Sequence, residues 1–168
     1  YTLILIIITL LTSGLRATGI DTLSIRKHLN NIINTEKPRN HKNIESLNYV
    51  ADYIFKDFTK HADSVYYQTY IVDNIEYKNV VCVFGIQNTK TIVVGAHYDV
   101  CGNQDGADDN ASGVVGLLEL AKLLKGKELK YRIEMVAYTL EEPPYFRTKS
   151  MGSYIHAKSL YENKTDVY

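Results

Sequence analysis

Cysteine is scarce in this chain, since Cys82 and Cys101 are the only two among its 168 residues. Two cysteines are too few for a disulfide framework, and their spacing matches no cysteine-based zinc motif. A surplus of one charge is also lacking, because 19 Lys and Arg balance 19 Asp and Glu. Nucleic-acid binding usually needs a basic surplus, and a solvating tail needs an acidic one. We therefore expect no nucleic-acid partner and two buried or inert thiols.

The N-terminus carries a short apolar run, from Leu3 to Leu11. The run is too short to span a bilayer but has the length of the apolar region of a secretory signal. We predict that residues 1–17 are a signal peptide, which would make the protein secreted or periplasmic. A retained membrane anchor with an extracytoplasmic domain is one alternative. A buried strand or helix of the domain itself is another.

The rest of the sequence has the composition of a globular domain. Hydrophobic residues make up 45% of the chain and charged residues 23%, which makes disorder a poor description. Apolar spacing predicts helices at residues 21–34, with Asp21 as the cap, and from residue 47 to about residue 60. Further helices are predicted at residues 114–124, capped by Asn110 or Ser112, and at residues 151–161.

Segments rich in Val, Ile and Tyr predict four strands, at residues 64–72, 76–84, 89–98 and 131–139. The first two are expected to form a hairpin. The continuous apolar run at 91–96 is typical of an interior strand covered on both faces. The alternation of strands and helices predicts an α/β fold, a three-layer α/β/α sandwich with a mixed, mostly parallel central sheet.

Acidic residues and one histidine lie where predicted strands end, and these ends meet at one edge of such a sheet. In chain order they are His97 with Asp99, the loop 105–113 with Asp109, and the pair Glu141–Glu142. One imidazole and several carboxylates suit zinc, and a shared carboxylate can bridge two ions. A solvated turn or a calcium loop is the alternative for 105–113, although the EF-hand spacing is missing. The other histidines, at 28, 41, 61 and 156, lack acidic partners at useful spacing and are predicted to lie on the surface.

Two of these clusters have a spacing that suggests separate roles. Asp99 follows His97 by two residues on the same side of an extended chain, so it can hold the second imidazole nitrogen. Of Glu141 and Glu142, one can bind metal while the other takes a proton from water.

The segments 95–99 (GAHYD) and 106–113 (GADDNASG), together with the Glu141–Glu142 pair, resemble the M28 peptidases, a family of co-catalytic zinc aminopeptidases and relatives. The resemblance runs from about residue 35 to about residue 160, and three motifs in order make it specific. It implies two zinc ions: His97 binds one, Glu142 binds the other and Asp109 bridges them. It also implies that Glu141 is the general acid/base and that Asp99 supports His97.

The chain departs from the M28 pattern in two places. The family completes its site with an acid that follows a buried apolar strand and with a further histidine, both downstream of the glutamate pair, and the chain stops at Tyr168 before either appears. Asp166 follows no such strand and is not assigned. We therefore expect residues 18–168 to be the N-terminal part of one catalytic domain, C-terminally incomplete and inactive alone. The family's Gly-Leu-x-Gly-Ser segment is replaced by a longer one at 143–153, which we expect to reshape the substrate pocket.

The resemblance implies a zinc-dependent exopeptidase of the aminopeptidase type, with peptide or protein N-termini as substrates. Two other functions stay open on the same fold. One is a non-catalytic ectodomain with a dead site, and the other is a cyclase acting on N-terminal glutamine.

Overall fold

The computed structural model describes residues 21–168. The signal peptide or anchor predicted at residues 1–17 lies outside them and stays a prediction. No helix within residues 21–168 is long and apolar enough to cross a membrane. The elements are α1 (Thr22–Ile33), α2 (Ile44–Phe58), β1 (Ser64–Val72), β2 (Ile75–Phe84), β3 (Thr91–His97), an irregular turn (Ala107–Ala111) with non-helical backbone at Asp109 and Asn110, α3 (Ser112–Leu124), β4 (Arg132–Tyr138) and α4 (Gly152–Glu162).

The strands of the described region form one mixed sheet in the order β1-β2-β4-β3. The β1–β2 hairpin is antiparallel, as predicted, and Asp73 and Asn74 turn it with positive φ angles of 51° and 64°. Such a pair of left-handed residues matches the twist of the hairpin strands. β2 is also antiparallel to β4, whereas β3 and β4 are parallel. The α/β class and the mixed sheet are confirmed. The described part is less parallel than predicted, because apolar patterns mark strands but not the direction of their neighbours.

β3 lies at the edge of the described sheet, so its predicted interior position was wrong for this part of the chain. Its residues Ile92, Val93 and Val94 are only partly buried, and Thr91 makes an isolated parallel bridge to Val167. The interior strands are β2 and β4, whose central residues are fully buried. A continuous apolar run indicates that both faces of a strand are covered. It does not indicate whether another strand pairs with each of its two edges.

Helices pack on both faces of the sheet. On one face, buried side chains of α2 and α3 join those of the strands in the main core, which includes Phe58 and Leu118. On the other face, Val136 belongs to a smaller apolar cluster. Glu134 points the same way as Val136, because alternate residues of a strand share a face. His156 of α4 lies 3.2 Å from the Glu134 carboxylate, which attaches α4 to this second face.

The fold bears on two predicted helix caps and on one histidine that was predicted to lie on the surface. The Asp21 carboxylate caps α1 by accepting the Ser24 N–H at 3.1 Å, as predicted. Of the two residues predicted to cap α3, Asn110 makes the hydrogen bond: its side-chain oxygen accepts the Gly113 N–H at 3.1 Å. His156 is buried, so its predicted surface position was wrong. The prediction failed because the acidic partner of His156 is Glu134 on β4, and sequence spacing does not reveal contacts between distant segments.

Candidate metal centre

The parallel pair β3 and β4 brings two of the polar clusters to one edge of the sheet. His97, the last residue of β3, pairs in register with Tyr138, the last residue of β4. The Tyr98 N–H then donates to the Tyr138 carbonyl oxygen at 2.9 Å. Glu141 and Glu142 follow β4 after two residues, so the strand ends meet as expected for an open α/β sheet.

The third cluster comes from the loop that leads into α3. One side-chain atom from each of His97, Asp109 and Glu142 lies within 4.8 Å of the others. His97 Nε2 and an Asp109 carboxylate oxygen are 3.0 Å apart. Two ligands of one tetrahedral zinc ion lie roughly 3.3 Å apart, given zinc bond lengths of about 2.0–2.2 Å. The three predicted ligands therefore lie close enough to share one ion or a pair of neighbouring ions, and their binding of metal stays a prediction.

Asp99 links the two strand-end loops from beneath the cluster. It is 2% exposed, and its carboxylate lies 3.4 Å from His97 Nδ1. The Asp99 backbone oxygen is 3.2 Å from the same nitrogen. The second carboxylate oxygen accepts the Glu142 N–H at 3.1 Å. Because Nδ1 of His97 is directed at Asp99, Nε2 is the nitrogen left for a metal ion, which fits the predicted supporting role of Asp99.

Glu141 is hydrogen-bonded to the start of α4 and is not one of the three clustered residues. Its two carboxylate oxygens accept the backbone N–H and the hydroxyl of Ser153, each at 2.7 Å. Burial raises the pKa of Glu141, although both Ser153 hydrogen bonds act to lower it. A carboxylate with a raised pKa accepts and returns a proton more readily near neutral pH. The pKa of Glu142 is raised as well, so position separates the two residues: Glu142 offers a donor atom to the cluster, whereas Glu141 lines the same cavity outside the cluster.

The charges of the cluster act on one another. Burial lowers the pKa of His97, but the hydrogen bond and charge of Asp99, together with the other nearby carboxylates, outweigh it and the net shift is upward. Burial and then the charge of Asp109 raise the pKa of Glu142. Carboxylates this close repel one another, and a bound divalent cation relieves that repulsion. The imidazole nitrogen and carboxylate oxygens of the cluster, together with its negative charge, therefore fit a zinc ion.

A cavity of about 420 Å³ opens beside the cluster. Four of the five predicted site residues line it, and two residues of the loop after the glutamate pair complete the lining: His97, Asp109, Glu141, Glu142, Pro143 and Phe146. Asp99 lies behind this surface rather than in it. The three predicted ligands and Glu141 therefore face one common cavity.

Arg39 is a residue whose role the sequence did not reveal, because it lies in a polar stretch that looked like a linker between two helices. It is 1% exposed and donates three hydrogen bonds to backbone carbonyl oxygens. The acceptors are Tyr98 at 2.7 Å, Asp105, and Gly106 at 2.7 Å. Burial lowers the pKa of Arg39 to about 10, so it remains charged at neutral pH. Arg39 thus fixes the loop that joins His97 to Asp109.

Asn79 holds the other loop in a similar way. This fully buried residue of β2 accepts the Thr139 N–H at 3.2 Å and donates to the Gly152 carbonyl oxygen at 2.9 Å. Thr139 and Gly152 flank the loop that carries Glu141 and Glu142. The sheet interior therefore fixes both ends of that loop. The sequence analysis missed Asn79, and the signal that could have identified it is a polar residue within an apolar strand.

We expect the substitution Arg39→Met to lower the free energy of unfolding by roughly 2–4 kcal/mol, because it leaves buried carbonyl oxygens without donors. Urea denaturation of the intact protein measures this change. The matched control is Arg26→Met on the exposed side of α1, which should change stability by less than about 0.5 kcal/mol. Equal effects of the two substitutions would show that the Arg39 hydrogen bonds contribute nothing.

Comparison with known proteins adds independent information. The sequence pattern of the family described as peptidase family M28 matches residues 79–166. The uncharacterized protein YfbL of Escherichia coli (strain K12) is 41% identical over 144 residues, which cover 81% of this chain and 45% of YfbL. This chain therefore spans less than half the length of that relative.

Solved structures with similar folds include enzymes of two kinds. LapB from Legionella pneumophila superposes with a TM-score of 0.72 at 25% identity, over 89% of this chain and 42% of LapB. The glutaminyl cyclase of Fimbriiglobus ruber gives 0.74 at 17% identity, over 87% and 57% of the two chains. A Zn-dependent exopeptidase from Parabacteroides distasonis gives 0.58 at 23% identity, over 70% and 45%. At identities this low, the latter two likenesses establish the fold alone.

Proposed function

The chain belongs to peptidase family M28, and from that premise we propose that the protein is a zinc-dependent exopeptidase that cleaves the peptide bond next to a free N-terminus. One observation carries the proposal. Donor atoms of His97, Asp109 and Glu142 lie within 4.8 Å of one another, and Glu141 lines the same cavity. A cluster of metal ligands with an adjacent carboxylate base is the arrangement that metal-assisted hydrolysis needs.

The proposed zinc site uses residues from three separate segments. His97 and Glu142 would each hold an ion, and Asp109 would be the ligand shared by the two. When bound, zinc polarises the scissile carbonyl and lowers the pKa of the attacking water. Imidazole nitrogen with carboxylate oxygens is a common ligand set for catalytic zinc.

The remaining chemistry belongs to residues of the chain itself. Glu141 takes a proton from the attacking water and passes it to the leaving amine nitrogen. Ser153 holds the Glu141 carboxylate in place through both of its oxygens. Asp99 keeps the His97 ring oriented with Nε2 toward the cavity.

The experiment that tests this proposal compares peptides with free and acetylated N-termini in the intact protein. We expect amino-acid release from the free peptides only, loss of activity on chelation, and recovery with zinc. Ammonia release from N-terminal glutamine without amino-acid release would assign a glutaminyl cyclase instead. Absence of both reactions in a protein that purifies without stoichiometric zinc would point to a non-catalytic ectodomain.

A further inference from the structure

The loop at residues 143–151, which departs from the M28 pattern, is held in place by its own backbone. The N–H groups of Tyr145 and Phe146 donate to the Glu142 carbonyl oxygen at 3.0 and 3.2 Å. Thr148 donates to the Tyr145 carbonyl oxygen through its N–H at 2.9 Å and its hydroxyl at 2.6 Å. The loop is therefore a series of tight turns that begins at a proposed metal ligand.

A side-chain anchor fixes the first half of this loop to the rest of the domain. The Tyr145 hydroxyl donates to the Asp73 carboxylate in the β1–β2 turn at 2.9 Å. The Tyr145 ring meets His41 edge-on, with ring centroids 5.6 Å apart, and packs near Tyr77 at 6.5 Å. Because Tyr145 is anchored, the position of its neighbour Phe146 is defined as well.

Phe146 presents apolar surface to the cavity that contains the proposed ligands. Its side chain is 52% exposed, and Phe146 and Pro143 are the apolar residues among the six that line the cavity. The Arg147 guanidinium lies 5.1 Å from the centre of the Phe146 ring. An apolar group that covers the exposed part of this ring is removed from water, and that removal is favourable.

The position of this ring beside the reacting groups suggests a role in substrate selection. We propose that Phe146 is a specificity-determining residue whose ring contacts the side chain of the substrate's N-terminal residue and selects apolar side chains such as Leu or Phe. This inference rests on the proposed exopeptidase function. It assigns a substrate class to the site, namely peptides with an apolar N-terminal residue.

The test uses the intact protein and four aminoacyl p-nitroanilides, with Leu, Phe, Ala and Glu as the aminoacyl group. In Phe146→Ala we expect kcat/KM for the Leu and Phe substrates to fall about ten-fold, the low end for one apolar contact in a pocket. The Ala substrate should change less than about two-fold, because its methyl group is too short to use the ring. Phe146→Leu keeps an apolar side chain and should restore most of the preference.

Tyr161→Ala is the matched control, because it removes an aromatic side chain that is 85% exposed and does not line the cavity. It should leave the preference unchanged. An equal fall for all four substrates, an unchanged preference in Phe146→Ala, or a preference of the unsubstituted protein for the Glu substrate would each overturn the inference while the exopeptidase proposal stands. Cleavage of none of the four would contradict the proposed function, and the inference would fall with it.

Discussion

Replacing Glu141 with glutamine is expected to lower kcat by about 10²- to 10⁴-fold, the range for loss of a positioned general base. Zinc content should not change, because Glu141 is not among the residues whose donor atoms form the cluster. Steady-state kinetics and elemental analysis of the same preparation measure the two quantities. Glutamine is the informative substitution because its amide oxygen still accepts the Ser153 N–H, and its amide nitrogen can donate to the Ser153 hydroxyl.

Thermal unfolding provides the control for Glu141→Gln. The melting temperature should stay close to that of the unsubstituted protein, since the contacts with the start of α4 are preserved. Retention of normal turnover by a folded, zinc-loaded variant would remove the general-base role from Glu141. Its carboxylate would then act only as a capping group for α4.

Replacing His97 with alanine is expected to weaken zinc binding by more than about 10²-fold. Loss of a residue that merely supports a metal ligand already costs about 10- to 100-fold in affinity, and His97 is proposed as a ligand itself. Its imidazole is the nitrogen donor of the cluster, so alanine would leave only carboxylate oxygens from Asp109 and Glu142. Competition with a chromogenic chelator measures the change, and hydrolysis should disappear with the bound metal.

Two further substitutions make the His97 result specific. Asp99→Asn should weaken zinc binding less, by about 10- to 100-fold, because Asp99 orients the ring without joining the cluster. His61→Ala removes a histidine near the end of α2, outside the cluster, and should leave affinity unchanged. Unchanged zinc affinity in His97→Ala would contradict the proposed ligand set.

The sequence predicted the parts of the fold that depend on local patterns. Residue periodicity located the helices and strands within a few residues, and the predicted hairpin of β1 and β2 is present, with Asp73 and Asn74 at its turn. It also predicted that the polar clusters would meet, because residues that follow parallel strands lie at the same edge of a sheet. His97 and the glutamate pair do meet there, at the ends of β3 and β4.

Contacts between distant segments could not be predicted in this way. The partner of His156 is Glu134, 22 residues earlier on β4, and the acceptors of Arg39 lie 59 to 67 residues downstream. Backbone carbonyl oxygens carry no signature of residue type, so a buried arginine that binds them resembles any surface arginine in the sequence. The edge position of β3 was missed for a similar reason. An apolar run indicates that a strand is buried, but which strands pair with it depends on the fold as a whole.

Anomalous diffraction at the zinc absorption edge, from crystals of the intact protein, shows directly whether His97, Asp109 and Glu142 bind zinc. We expect a zinc peak about 2.0–2.2 Å from His97 Nε2 and from an Asp109 carboxylate oxygen. A second peak should lie about 3.5–4 Å away, within bonding distance of Glu142. Zinc bound elsewhere, with these three side chains free of metal, would rule out the proposed ligand set.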